Sequence, residues 1–193
     1  MRKPLLGFSA LLLFFALLMP PAIILAKENS VMDSKSSSHQ DATKSAEKIN
    51  YALPYPGILP DNPLYFLKAV RDGIISFVIS DPVKKAEFHL LTSDKRISAS
   101  LLLAEKGKLD LAISTLSKGN NYFHKAMENA SAAKKMGKSV DTVLHNMGKS
   151  IKKHQEVLEM VKSKVGKKFA GQLQIETERM AEFENSVNQL SPQ

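Results

Sequence analysis

The sequence predicts an all-α protein: an antiparallel bundle of about five helices, preceded by a proline-rich extended collar and an N-terminal signal segment. Three observations lead to this prediction. Apolar residues recur every three or four positions from residue 64 to residue 190, which is the spacing of one helix face. Proline and glycine divide this pattern into pieces of helical length. No stretch of alternating apolar and polar residues predicts a β-strand instead.

The first 26 residues have the composition of a signal peptide. A basic start, Met1-Arg2-Lys3, precedes an apolar run from Leu5 to Met19, and Ala26 is a candidate last residue before cleavage. An uncleaved membrane anchor is the alternative, because Leu5 to Ala26 is long enough to cross a bilayer. In both cases the positive-inside rule predicts that the following chain is extracytoplasmic, either secreted or associated with the envelope.

Two segments separate this leader from the helices. Residues 27–50 contain six serines and almost no large apolar side chains, so they predict a disordered spacer. Residues 51–62, YALPYPGILPDN, are rich in proline and apolar residues, and we expect an extended collar. A polyproline-type ligand for an aromatic groove is the alternative. The collar residues expected to pack on the bundle are Leu53, Tyr55, Ile58 and Leu59.

The first helix is predicted from Pro63 to about Ser80. Asn62 is a favourable N-cap, and proline is tolerated at the first helical position. Apolar residues then follow at helical spacing: Leu64, Leu67, Val70, Ile74 and Phe77. Because the end of this helix, IISFVI, is apolar on every side, we expect it to be deeply covered by other helices.

Two longer helices complete residues 63–136. Asp81-Pro82 repeats the capping arrangement at the start of the second helix. Its apolar face is interrupted by a polar layer, Ser93-Asp94, and Gly107 ends it. The third helix is predicted from about Leu109 to Met136, where Gly137 marks the next turn.

Residues 139–190 predict a C-terminal helical hairpin with a short loop near Gly166. Both helices carry an apolar seam with alternating spacings of four and three, the heptad pattern of a coiled coil. The seam of the fourth helix consists of Val140, Leu144, Met147, Ile151, His154, Leu158, Val161 and Val165. The seam of the fifth helix consists of Phe169, Leu173, Glu176, Met180, Phe183, Val187 and Leu190.

Each seam holds one polar residue, His154 in the fourth helix and Glu176 in the fifth. If the hairpin turns at residues 166–168, these side chains lie one layer apart, and we expect them to contact each other. A pair that sets the register of the two helices is the favoured interpretation. A proton-linked or metal-assisted site is the alternative.

Part of the chain resembles a known family. The similarity lies in LPDNPLYFLKAVRDGI, DPVKKAEFHLLTSDKRISAS and LLAEKGKLDLAISTL. Its specific part is the motif Leu-Pro-x-x-Pro-Leu-Tyr-x-Leu-Lys, from Leu59 to Lys68. Residues 53–130 thus resemble the bacterial family of domains of unknown function numbered 5667. The resemblance implies an exported or membrane-linked helical domain, and it implies no activity.

Positive charge is concentrated in one part of the chain. The net charge is +8, and residues 134–168 contain ten lysines but three acidic residues. Five lysines of the fourth helix lie off its seam and form the candidate binding surface: Lys149, Lys152, Lys153, Lys162 and Lys164. The expected partners are an anionic cell-wall polymer, lipid headgroups or an envelope protein. The expected location outside the cell argues against nucleic acid, and the absence of interleaved aromatic residues argues against single-stranded nucleic acid in particular.

The sequence predicts neither a catalytic centre nor a cofactor. It lacks a phosphate-binding glycine loop, a nucleophile elbow and an HExxH motif. Without cysteine, thiol chemistry and cysteine-based zinc sites are excluded. Two weak metal candidates have i,i+4 spacing but no further ligands: His124 with Glu128, and Asp141 with His145.

These patterns favour a non-enzymatic, extracytoplasmic helical module that binds an anionic envelope surface or a protein partner through its lysines. The alternative is a helical bundle that binds a small ligand or a metal in the seam of the fourth and fifth helices, similar to stress-type envelope chaperones. Contact with a membrane is expected only through the leader, if it is uncleaved.

Overall fold

The computed structural model describes residues 51–191. The helices are α1 (Tyr65–Val78), α2 (Pro82–Glu105), α3 (Leu109–Lys135), α4 (Asp141–Lys164) and α5 (Ala170–Leu190), with a 3₁₀ turn at Lys167–Phe169. Residues 51–191 contain no strand, and the predicted all-α class is confirmed. The predicted signal segment, 1–26, and the spacer, 27–50, lie outside these residues. Within the described range, no helix combines the length and the apolar character needed to span a bilayer.

Helices α2 to α5 form a four-helix bundle. The main contacts join α2 to α3 and α4, and α5 to α3 and α4. The helices therefore follow the order α2, α3, α5, α4 around a common core. Short connections make successive helices antiparallel. Helix α1 makes its main contact with α2 from outside this ring.

The bundle has two apolar clusters along its length. Both clusters draw their residues from the range 53–190, so a chain that begins at Lys27 contains both of them. Every predicted seam position of α4 and α5 is buried except Leu190, which is half-buried and packs against one cluster. The predicted helical hairpin and its two seams are therefore confirmed.

The boundaries of α2 agree with its predicted capping residues. The Asp81 carboxylate accepts hydrogen bonds from the amides of Val83 and Lys84 at 2.9 and 3.0 Å, and Pro82 is the first residue of α2. Gly107 follows α2 with a φ of +73°, a left-handed conformation that glycine adopts without strain.

The start of α1 differs from the prediction. Asn62 Oδ1 accepts a hydrogen bond from the Leu64 amide at 2.9 Å, but the α-helix begins at Tyr65. The reason is a tight turn before it, closed by a backbone hydrogen bond from Asn62 to Leu59 at 3.0 Å. The Asn62 side chain thus bonds to the segment between this turn and the helix, and the helix starts two residues later than expected.

The prediction that the end of α1, IISFVI, would be deeply covered is wrong. None of its residues is buried; Phe77 is 88% exposed and Phe66 is 70% exposed. The physical reason is that α1 rests on the bundle through polar side chains. The Tyr65 hydroxyl accepts a hydrogen bond from Arg96 of α2. The apolar side of α1 consequently faces away from the bundle.

The collar packs on the bundle through only some of the expected residues. Leu53 packs against an apolar cluster and Leu59 is half-buried. Tyr55 and Ile58 are exposed, contrary to prediction. The collar is instead fixed at its start, because the Tyr51 hydroxyl donates a hydrogen bond to Asp94 Oδ2 of α2 at 2.6 Å.

Candidate functional site

The lysine side of α4 comprises Lys149, Lys152, Lys153, Lys162 and Lys164. These residues lie away from the buried seam, as predicted. Lys149, Lys152 and Lys164 are exposed, and the other two are half-buried. With about 3.6 residues per turn, the three exposed lysines fall on the same side of the helix. The bundle covers the opposite side of α4, so it holds these lysines toward solvent.

Neighbouring glutamates neutralise only part of the lysine side. Lys153 Nζ lies 2.7 Å from Glu156 Oε1, and Lys162 Nζ lies 2.6 Å from Glu159 Oε1. Within residues 51–191, the three exposed lysines have no ion pair. Exposed ion pairs typically contribute about 0–1 kcal/mol, so the two paired lysines can exchange their partners for another anion.

The two predicted metal candidates do not assemble into a site. His124 Nδ1 lies 3.6 Å from Glu128 Oε1, and both side chains are exposed. Asp141 and His145 are also exposed, at the start of α4. Within residues 51–191, no group of three or more histidine, aspartate or glutamate residues is arranged to hold a metal ion. Each pair therefore supplies fewer ligands than a tetrahedral zinc site requires.

His154 is buried in the seam as predicted, but its partner is Asp94. Its Nε2 lies 2.8 Å from Asp94 Oδ1. Ser150 Oγ donates to the same oxygen at 2.6 Å, while Tyr51 donates to the other carboxylate oxygen. Burial, followed by the hydrogen bond to Asp94, raises the pKa of Tyr51, so its hydroxyl stays protonated and donates. This Asp94 network joins the collar to α2 and α4.

Glu176 belongs to a separate network. Asn120 Nδ2 of α3 donates to Glu176 Oε2 at 2.7 Å, and Arg179 Nη1 lies 3.0 Å from the same oxygen. Among the described residues, no hydrogen bond or ion pair joins Glu176 to His154. The prediction that these two side chains contact each other is therefore corrected, because α2 and α3 supply the partners that the hairpin alone was expected to supply.

The Asp94 network has the properties of a structural element of the core. The Asp94 carboxylate is 2% exposed and accepts hydrogen bonds from three side chains. A carboxylate held in this way is well satisfied inside a core. The sequence contained a signal for this role, since Asp94 interrupts the apolar spacing of α2 just as His154 interrupts that of α4.

A basic groove of about 180 Å³ between α1 and α2 was missed by the sequence analysis. Four cationic side chains line it, Lys68, Arg71, Lys95 and Arg96, together with one acidic side chain, Asp72. The rest of its lining is mainly apolar and aromatic. The sequence offered no clear signal because the cations come from two helices and are spaced among other residue types.

The comparison with protein families identifies the chain. Residues 57–168, more than half of the sequence, match the family described as domain of unknown function DUF5667. The protein belongs to the DUF5667 family. The match extends past the predicted residues 53–130 into α4, so it includes the basic groove and the lysine side. Comparisons of this DUF5667 protein with curated proteins and with solved structures found no match.

Proposed function

We propose that this DUF5667 protein is a non-enzymatic, extracytoplasmic helical module that binds an anionic surface of the cell envelope through the lysine side of α4. One observation carries the proposal: Lys149, Lys152 and Lys164 are exposed on one side of α4 and have no ion pair within the described range. The basic and apolar composition of residues 1–26 supports the compartment.

The spacing of these lysines suits an extended polyanion. At about 1.5 Å per residue, Lys149 and Lys164 lie roughly 22 Å apart along the helix axis. A single small anion cannot bridge this distance, whereas successive phosphates or carboxylates of an envelope polymer can. Lysine binds such groups as a point charge without a fixed hydrogen-bonding geometry. We therefore expect binding that depends on charge density and falls steeply with salt.

Cosedimentation of residues 27–193 with purified cell envelope tests this proposal. The wild-type protein is expected to bind at about 0.05 M NaCl and to be released at about 0.5 M, where screening is strong. The Lys149→Glu/Lys152→Glu/Lys164→Glu variant should fail to bind at the lower concentration. Circular dichroism and urea unfolding verify that it remains folded.

A matched variant separates the lysine side from the total charge. Lys84→Glu/Lys118→Glu/Lys125→Glu changes three exposed lysines of α2 and α3 and has the same net charge. It should retain most of the binding. Equal loss in both variants, or no binding of the wild-type protein at low salt, would contradict the proposal. A metal or small molecule retained in the purified protein would favour the alternative of a ligand-binding bundle.

A further inference from the structure

Helix α1 carries a row of exposed apolar side chains on the side that faces away from the bundle. This outer stripe consists of Phe66, Leu67, Val70, Ile74, Phe77 and Val78, each between 44% and 88% exposed. The opposite side of α1 is polar, with Tyr65, Asp72 and Ser76 half-buried toward α2. The orientation is the reverse of that of a bundle helix, whose apolar side faces the core.

Contacts on the inner side hold α1 in this orientation. The Tyr65 hydroxyl accepts a hydrogen bond from Arg96, and Ser76 Oγ lies 3.4 Å from His89 Nε2. Lys68 Nζ donates to the carbonyl of Pro56 in the collar. Rotating α1 to bury its outer stripe would break these contacts and leave Arg96 and His89 of α2 facing apolar side chains. A contiguous exposed apolar surface of this kind marks an interaction site.

The basic groove follows one edge of the outer stripe. In the helical projection, Arg71 lies next to Leu67 and Val78, and Lys68 lies farther round the helix toward α2. Lys95 and Arg96 of α2 face them across the groove. Asp72 offsets one of these charges, since its Oδ1 lies 2.8 Å from Arg71. An apolar stripe bordered by cations is typical of a helix that lies in a membrane interface.

We propose that α1 lies in the surface of an anionic phospholipid bilayer, with the outer stripe among the acyl chains and the groove cations at the headgroup phosphates. The charge on the groove favours this partner over a second copy of the chain. A symmetric contact would place the same patch, with its cations, against itself. The proposal uses a different surface from the lysine side of α4 and does not rest on it.

A single tryptophan reports directly on the outer stripe, because the chain contains no natural tryptophan. We expect the emission of Phe77→Trp in residues 27–193 to shift to the blue with vesicles of phosphatidylglycerol and phosphatidylcholine. The shift should be smaller with phosphatidylcholine alone. Met136→Trp, at an exposed site after α3, is the control and should show no shift. A Phe77→Trp emission that vesicles leave unchanged would overturn the proposal.

Two paired variants test the contribution of the stripe to binding. Phe66→Ala/Phe77→Ala should lower the vesicle-bound fraction at least about tenfold, because each substitution removes a large apolar area that the bilayer would bury. Met136→Ala/Ile175→Ala removes exposed apolar residues elsewhere and should retain binding. Equal loss of vesicle binding in both variants would overturn the proposal. Dimerisation of the protein without vesicles, with the outer stripe buried between the two copies, would also overturn it.

Failure of this proposal can be distinguished from failure of the proposed function. With saturating phosphatidylglycerol vesicles, the blue shift of Phe77→Trp is expected to persist when Lys149, Lys152 and Lys164 are changed to glutamate. Loss of the blue shift in that background would show that the lysine side, rather than the outer stripe, brings the protein to lipid. If the Phe66→Ala/Phe77→Ala variant still binds the envelope, the lysine side of α4 is responsible for that binding.

Discussion

Helices α1 and α4 show the same apolar periodicity and opposite burial. In α4 the seam residue Leu158 is 1% exposed, whereas Phe77 of α1 is 88% exposed. The difference arises from their neighbours: the apolar side of α4 meets the bundle core, while α1 meets α2 through its polar side. Periodicity thus identifies the apolar side of a helix, and only the contacts between helices decide whether that side is covered.

The polar residues of the bundle and those of α1 also differ in burial. Inside the bundle, Asp94 and His154 are buried with each other as partners. At α1, the polar residues form a half-buried layer between the helix and α2. We therefore expect changes to the bundle to alter stability strongly. Changes to the outer side of α1 should alter surface properties and leave stability nearly unchanged.

The largest effect is expected for Asp94→Ala. Removing this carboxylate leaves the buried His154 and the half-buried Tyr51 without their acceptor, and breaking a buried pair typically costs about 3–5 kcal/mol of unfolding free energy. Urea unfolding measures the change. Asp110→Ala removes an exposed ion pair with Lys168 and should cost less than about 1 kcal/mol. A similar effect of the two substitutions would contradict the assigned role of the Asp94 network.

A smaller effect is expected for Gly119→Ala in α3. An added Cβ would lie 2.8 Å from Ile97 Cδ1, a fully buried side chain, so we expect a loss of about 1–3 kcal/mol from overpacking. Gly148→Ala in α4 meets nothing within 4 Å and should instead gain about 0.5–1 kcal/mol. Thermal unfolding compares the two. If Gly119→Ala stabilises as Gly148→Ala does, α2 and α3 are packed less closely than described.

A pH dependence is expected at the contact between α1 and α2. Burial lowers the pKa of His89, and nearby Lys125 and Lys85 lower it further, with Glu128 acting in the opposite direction. The unfolded chain then binds the proton more readily than the folded chain. His89 should therefore reduce the unfolding free energy as the pH falls below about 6.5.

Urea unfolding between about pH 7 and pH 5 measures this contribution as a difference between two proteins. His89→Gln cannot titrate and should lose less stability than the wild-type protein over the same interval. Identical slopes for the two proteins would show that His89 is as accessible to protonation in the folded chain as in the unfolded one.

Much of the bundle could be predicted from the sequence, because its signals are local. The Asp81 cap needs only the next few residues, and the heptad spacing of α4 and α5 identifies a buried side without reference to other helices. The pairing of His154 and the exposure of α1 depend on residues far along the chain. Asp94 precedes His154 by 60 residues, and a hairpin considered alone could not reveal it.

The candidate functional site could likewise be predicted only in part. The lysine side of α4 was predictable, because positions off a buried seam face solvent. The basic groove was not, since Lys68 and Arg96 meet only after α1 folds back on α2. The orientation of α1 also decides whether the outer stripe is a core surface or a binding surface, which no periodicity within the helix can determine.

Urea unfolding of Phe66→Ala/Phe77→Ala beside Leu158→Ala tests the central comparison most directly. The substitutions in α1 remove exposed side chains, so the unfolding free energy should stay within about 0.5 kcal/mol of the wild-type value. Leu158→Ala leaves a cavity in the core and should lower it by about 2–5 kcal/mol. A loss of several kcal/mol from the α1 variant would show that the outer stripe is buried in the folded protein, contrary to this account.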